Sequence, residues 1–115
     1  MIMNFSQRKP IIEMCAEGGS GKLTLDKLLS KPNSPESVRM YAKASLEPGA
    51  SVGYHVHNGE SETYFILSGR GEYNDNGTVI DIAAGDVTFT PSGEGHGIKN
   101  TGFAPLEFMA LIIEG

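Results

Sequence analysis

The sequence of 115 residues is poor in cysteine and in long apolar runs, and each shortage excludes a class of protein. Cys15 is the only cysteine, so an intramolecular disulfide is impossible and a reducing compartment is the default expectation. No apolar run approaches the length needed to cross a bilayer, and the N-terminus lacks the apolar segment of a signal peptide. We therefore expect a cytoplasmic protein that has no membrane partner.

The chain also lacks clusters of basic residues. It contains 9 Lys and Arg against 14 Asp and Glu, which gives a net charge of −5 at pH 7. No group of Lys or Arg is long enough to follow a phosphate backbone, so nucleic acid is not an expected partner. The length is that of a single domain, and a chain of this size can bury one core without disulfides.

Glycine and proline are abundant, with 15 and 6 copies, and they separate short apolar runs in a pattern typical of an all-β domain. Residues 1–20 are interpreted as an N-terminal arm and connector, ahead of a main domain at 21–115. The alternation at 22–29 predicts a strand, although a short helix also fits. Residues 38–46 alternate over their whole length, and the apolar run at 111–113 predicts a fully buried final strand.

The faces of the strand at 38–46 can be assigned in two ways. If Arg39, Tyr41 and Lys43 face inward, they offer a cation and a phenol to an anionic ligand. If Met40 and Ala42 face inward instead, they supply ordinary core packing. The sequence leaves both assignments open.

Two of the three histidines, His55 and His57, are one residue apart. On a strand they would point to the same face. The dipeptide Asn58-Gly59 suits a tight hairpin turn, which would place Glu60 opposite His57 and Glu62 opposite His55. Two imidazoles and a carboxylate on one face can hold a divalent metal ion. Hairpin geometry alone leaves both glutamates as candidates for the acidic ligand.

The third histidine, His96, lies in a second glycine-rich run. The first run reads G-x5-H-x-H-x4-E-x6-G over residues 49–69, and the second reads G-x5-P-x-G-x2-H-x3-N over residues 85–100. Together they resemble the two conserved-barrel motifs of the cupin superfamily, with every position filled and every gap at its usual length. The resemblance extends over residues 38–113.

The resemblance implies a double-stranded β-helix, the cupin or jelly-roll barrel, as the single domain at 21–115. It also implies one divalent transition metal ion (Mn, Fe, Ni or Zn) that is held by His55, His57, Glu62 and His96. Only Glu62, and not Glu60, has the family's spacing to Gly69. Each coordinating histidine needs an acceptor for its other nitrogen, and the sequence does not identify those acceptors.

The resemblance leaves two main functions open. One is a metal-dependent enzyme that acts on a small oxygenated metabolite by isomerase-like, dioxygenase or carboxylate lyase chemistry. The alternative is a non-catalytic barrel that binds a small carboxylate of the oxalate type. Tyr64 shares the face of Glu62, and Tyr64 and Glu60 are the candidate catalytic bases for an enzyme. The expected partner in either case is a small molecule, for which an anion is one option.

We also expect a homodimer, by analogy with small cupins and because a short barrel leaves apolar strand edges uncovered. The apolar N-terminal arm at 1–20 is the candidate for an exchanged element.

Overall fold

The computed structural model describes all 115 residues, Met1–Gly115, and consists mainly of antiparallel strands. The strands are β1 (Ile11–Met14), β2 (Lys22–Lys27), β3 (Val38–Leu46), β4 (Ser51–Val56), β5 (Glu60–Ser68), β6 (Arg70–Asp75), β7 (Thr78–Ala83), β8 (Val87–Thr90), β9 (Gly95–Asn100) and β10 (Leu106–Glu114). Two short 3₁₀ turns cover Phe5–Gln7 and Ala16–Gly18. Neither of these turns has the length and hydropathy that a membrane-spanning helix requires.

The strands form two sheets that enclose one apolar core. The six-stranded sheet has the order β1-β2-β3-β10-β5-β8, and the four-stranded sheet has the order β4-β9-β6-β7. The most buried large apolar side chains are Leu46, Ile66, Leu106 and Phe108. The arrangement confirms the expected all-β jelly-roll barrel.

Strand β3 shows how alternation assigns the two faces of the six-stranded sheet. Ala42 and Leu46 are fully buried, whereas Arg39, Tyr41 and Lys43 lie on the outer face. The interpretation that turned these three side chains inward is therefore wrong. Burial of small apolar residues against the opposite sheet decides the orientation, and the cationic groups remain in water.

The N-terminal arm adds an edge strand to its own sheet. Strand β1 pairs antiparallel with β2, and β2 confirms the strand interpretation of 22–29. Arg8 is bidentate on Asp26, with Nε donating to Oδ1 at 2.8 Å and Nη2 to Oδ2 at 3.1 Å. The hydrogen-bonded guanidinium lowers the pKa of Asp26. Exchange of the arm between two copies and a domain boundary after residue 20 stay predictions.

The expected hairpin at Asn58-Gly59 is wrong. Strand β4 pairs with β9 in the four-stranded sheet, whereas β5 pairs with β8 and β10 in the six-stranded sheet. A type I′ hairpin needs positive φ at both central residues, and of this pair only Gly59 has it, at 77°. Asn76-Gly77, with φ of 49° and 102°, forms the tight hairpin between β6 and β7. The Asn58-Gly59 connection instead carries the chain from one sheet to the other.

Strand β10 lies between β3 and β5, yet only one of its faces is buried. Leu106, Phe108 and Ala110 point into the core, while Ile113 is 40% exposed. The predicted full burial of 111–113 is wrong because the outer face of the six-stranded sheet is open to solvent, as the exposed side chains of Phe65 and Phe89 show.

The side chain of Asn100 joins three backbone segments at one end of the barrel. It is 1% exposed. Its Nδ2 donates to the carbonyl oxygens of Leu46 and Ala104, both at 2.9 Å, and its Oδ1 accepts from the N–H of Gly102 at 2.9 Å. Every polar atom of the amide is therefore paired.

We predict that Asn100→Asp lowers the free energy of unfolding by about 2–4 kcal/mol, because a carboxylate would face two carbonyl oxygens without a donor. Asn33→Asp makes the same chemical change in an exposed loop and should stay within about 0.5 kcal/mol of the parent. Urea denaturation measures both. A loss below about 1 kcal/mol for Asn100→Asp would contradict the bonding described above.

Candidate metal centre

Four potential ligand side chains meet inside the barrel. They are His55 on β4, His57 directly after it, Glu62 on β5 and His96 on β9. One ligand atom from each lies within 4.8 Å of the others, and all but His55 are buried. The structure thus brings together the four residues that the sequence resemblance singled out.

The pairing of β4 with β9 brings the histidines together, and the alternation of side chains along β5 directs Glu62 toward them. His55 stands opposite His96 in the β4–β9 ladder. The N–H of His57 donates to the carbonyl of Glu94 at 3.2 Å, which continues that ladder by one residue. Glu62 comes from the facing sheet, on the buried side of β5. The cluster therefore lies between the two sheets.

The spacing of three ligand atoms fits a single ion. His57 Nε2 is 3.0 Å from His96 Nε2, and Glu62 Oε1 is 2.9 Å from each of these nitrogens. Two ligand atoms that each lie about 2.1 Å from one metal ion, at right angles, are about 3.0 Å apart. The three atoms have the mutual distances of neighbouring ligands of one octahedral ion.

The other ring nitrogen of each histidine has an oxygen partner. Each Nδ1 lies 2.8 Å from that oxygen: His55 from the carbonyl of Gly53, His57 from the carboxylate of Glu60, and His96 from the hydroxyl of Tyr73. An acceptor at Nδ1 favours the tautomer that carries its proton on Nδ1. The lone pair of each Nε2 is then left for a metal ion.

This tautomer makes the centre of the cluster electron-rich. With the protons on Nδ1, two Nε2 lone pairs and a carboxylate oxygen lie within 3.0 Å of one another in a buried site, where repulsion is poorly screened. A cation among them removes that repulsion. Imidazole nitrogen and carboxylate oxygen suit Mn, Fe, Ni and Zn, so the residues present fit the expected divalent metal ion.

Tyr73 is a site residue that the sequence analysis missed. Its hydroxyl lies 2.8 Å from His96 Nδ1 and 2.9 Å from Thr90 Oγ1. Burial raises the pKa of Tyr73, so the phenol stays neutral, accepts from His96 and donates to Thr90. A tyrosine at an inward strand position resembles ordinary core packing. Only its pairing opposite Ile98 of β9 brings it near His96.

Tyr64 and Glu60, the expected catalytic residues, lie beside the cluster in different roles. The ring of Tyr64 stacks on that of His96, with centroids 5.0 Å apart. Burial raises the pKa of Tyr64 well above its usual value, and the negative charge of Glu62 adds to the shift. Tyr64 is therefore a proton donor at neutral pH, and a base role is disfavoured. Glu60 contacts His57 Nδ1 and orients that ring. A catalytic role for Tyr64 or Glu60 stays a prediction.

The cluster opens into a cavity of about 390 Å³ between the sheets. This volume lies within the range of small-molecule pockets, about 300–1,000 Å³. Most of the lining is apolar, and it includes Leu23, Leu25, Met40, Val52 and Ile112. No lysine or arginine lines the cavity.

Known proteins share both the fold and much of the sequence. The family model described as "Cupin domain" matches residues 42–112. An oxalate-binding protein of Thermotoga maritima is 46% identical over 113 residues, which cover 98% of this chain and 93% of that protein. A crystal structure from the same organism, described as a predicted oxalate decarboxylase, has a TM-score of 0.94 and 45% identity, and covers 100% of both chains.

A more distant relative matches only in part. The oxalate decarboxylase of Bacillus subtilis is 29% identical over 75 residues, which cover 61% of this chain but only 20% of that protein.

We predict that Glu60→Gln weakens metal binding by about 10–100-fold, because an amide holds the Nδ1 proton of His57 less firmly than a carboxylate does. Glu72→Gln removes the same charge on the exposed side of β6 and should leave the affinity unchanged. Competition with a chromophoric chelator for Zn²⁺ measures both dissociation constants. Equal affinity of Glu60→Gln and the parent would show that Glu60 does not support His57.

Proposed function

The chain belongs to the cupin domain family, and from that premise we propose that it binds one divalent transition metal ion and holds a small carboxylate ligand on that ion. The ligands of the ion are His55, His57, Glu62 and His96. The observation that supports this proposal is the convergence of three Nε2 atoms and a carboxylate oxygen, each histidine with a partner for its Nδ1.

The charge of the centre favours an anionic ligand. Three neutral imidazoles and one carboxylate leave one net positive charge on a divalent ion. When bound, such an ion supplies a Lewis acid with open positions for ligand oxygen atoms. Most of the surrounding cavity is apolar, so the attraction between ion and carboxylate is weakly screened, and it has to exceed the repulsion from Glu13 and Glu17, which also line the cavity.

Oxalate is the ligand that we propose to test first. The Thermotoga relative, described as an oxalate-binding protein, matches this chain over nearly its full length. Oxalate offers two carboxylate oxygens that can occupy neighbouring positions on one ion. We place binding ahead of turnover because that relative's description refers to binding.

Turnover of the bound carboxylate is the second candidate. Tyr64 places a neutral phenol in the cavity beside Glu62, so a proton donor is available where carbon dioxide would leave a carboxylate. Cleavage of hydrogen oxalate would yield carbon dioxide and formate, with the proton taking the place of the carbon–carbon bond. The partial match to a decarboxylase supports the same chemistry. No observation on the site favours isomerase or dioxygenase chemistry.

We predict that protein loaded with Mn²⁺ binds one oxalate per metal ion in isothermal titration calorimetry. Metal-free protein should bind at least about 100-fold more weakly, because the cavity offers no other cation, and Glu62→Gln should do the same because loss of a ligand carboxylate releases the ion. Equal oxalate affinity with and without metal would contradict the proposal. Formate detected by NMR after incubation, and reduced at least tenfold by Tyr64→Phe, would establish turnover in addition to binding.

We also propose that two copies pair through the outer face of the six-stranded sheet. An apolar patch on this face consists of Phe65, Leu67, Val87, Phe89 and Met109. Phe65 stands opposite both Met109 and Val87, so the patch is continuous across β8, β5 and β10. Phe89 is 60% and Val87 66% exposed. A continuous apolar patch of this kind marks an interface, and a twofold pairing would cover both copies with the same residues.

We predict that the parent sediments as a dimer and that Phe89→Lys sediments as a monomer, because an ammonium group would be buried between the apolar patches. Val79→Lys makes a matched change at an exposed position of β7 in the other sheet and should leave the dimer intact. Sedimentation velocity at micromolar concentration distinguishes these states. A dimer that survives Phe89→Lys but is lost in Ile12→Lys would place the interface on the N-terminal arm.

A further inference from the structure

The cavity beside the candidate metal centre is lined by more negative charges than a divalent metal ion would offset. Glu13, Glu17, Glu60 and Glu62 all line it. These are four negative charges, of which a divalent ion offsets two. Arg39 lies 3.9 Å from Glu60, from the outer face of β3. Glu13 and Glu17 have no cationic partner within 4.0 Å, so their charges act on whatever enters the cavity.

The backbone holds Glu17 at the edge of this cavity. Glu17 adopts a left-handed conformation with φ of 52°, in the 3₁₀ turn Ala16–Gly18, where Ala16 is buried. The turn packs so closely on β4 that a Cβ at Gly53 would collide with the carbonyl oxygen of Glu17. A non-glycine residue in this conformation costs about 1–3 kcal/mol and persists where packing imposes it. The backbone of the turn is therefore fixed beside the cavity.

The charge of Glu17 reaches the inside of the cavity. Its carboxylate is among the groups that raise the pKa of Tyr64, whose ring stacks on His96. Glu17 and the ligand cluster line the same cavity, whose wall contains no Lys or Arg.

We propose that Glu17 determines the specificity of the site by repelling a second negative charge on the ligand and accepting a hydrogen bond from it. The preferred ligand class is then a singly charged α-hydroxy carboxylate, which chelates the ion through its carboxylate and hydroxyl oxygens. The hydroxyl proton is donated to Glu17, and an apolar substituent packs on side chains such as Leu25 and Met40. This inference rests on the proposed metal-dependent carboxylate binding.

Oxalate and α-hydroxy carboxylates such as lactate differ in charge and in hydrogen-bond donors. Oxalate is a dianion at neutral pH and has no hydrogen to donate, so the two oxygen atoms that it does not place on the ion face Glu17 as like charge. Lactate carries one charge, one hydroxyl donor and one methyl group. A charge-assisted hydrogen bond to a carboxylate is stronger than one to a neutral amide. Removal of the Glu17 charge should therefore change the two affinities in opposite directions.

The test compares oxalate and L-lactate on the Mn²⁺-loaded parent and on Glu17→Gln, by isothermal titration calorimetry at constant ionic strength. Glutamine has the same size as glutamate, and position 17 is exposed, so folding is not at risk. We expect Glu17→Gln to bind oxalate about three- to tenfold more tightly and lactate about two- to fivefold more weakly. Metal content is measured after each titration to confirm that the ion stays bound.

Glu72→Gln is the matched control, since it removes the same charge outside the cavity. A shift of the oxalate-to-lactate affinity ratio by at least fivefold in Glu17→Gln, with no shift in the control, supports the inference. A smaller shift, or an equal shift in both variants, overturns it. If the parent binds neither ligand with metal present, the proposed function itself fails, which is a different outcome.

Discussion

The close approach of imidazole nitrogens and a carboxylate oxygen inside the barrel is the constraint on which the rest of the structure depends. Atoms with lone pairs lie 2.9–3.0 Å apart at His57, His96 and Glu62 in a site with little access to water. Such an arrangement is unfavourable without positive charge at its centre. The surrounding hydrogen bonds preserve it, because their contacts with Nδ1 orient the rings.

The four candidate ligands could be predicted from the sequence because they lie in the two motifs that resemble those of the cupins. Alternation places His55 and His57 on one face, but only the resemblance distinguishes Glu62 from Glu60 and adds His96. The pairing of the strands could not be predicted, because it depends on contacts between distant segments. Asn58-Gly59 has the composition of a hairpin turn, yet the chain crosses between sheets there, since β4 finds its partner in β9. Local composition does not encode that choice.

The oxygen partners of the histidine Nδ1 atoms could be predicted only in part from the sequence. Glu60 was recognised as a nearby carboxylate, but its contact with His57 requires the real course of the chain between β4 and β5. Gly53 supplies only a backbone oxygen, which no side-chain pattern reveals. Tyr73 joins the site through the β6–β9 register. The outer face of β10 was misjudged for a related reason, since an apolar run does not show whether both of its sides are covered.

The contact between Tyr73 and Thr90 has a mechanical consequence. Tyr73 belongs to the four-stranded sheet and Thr90 to the six-stranded sheet, so the hydrogen bond spans the gap between layers. His96 is attached to the same hydroxyl, and Glu62 reaches across from the opposite layer. Any motion that separates the layers must therefore break this hydrogen bond and move the carboxylate away from the imidazoles at the same time. Opening of the two sheets and separation of the four candidate ligands are thus one motion, and the cluster keeps its geometry only while the sheets stay joined.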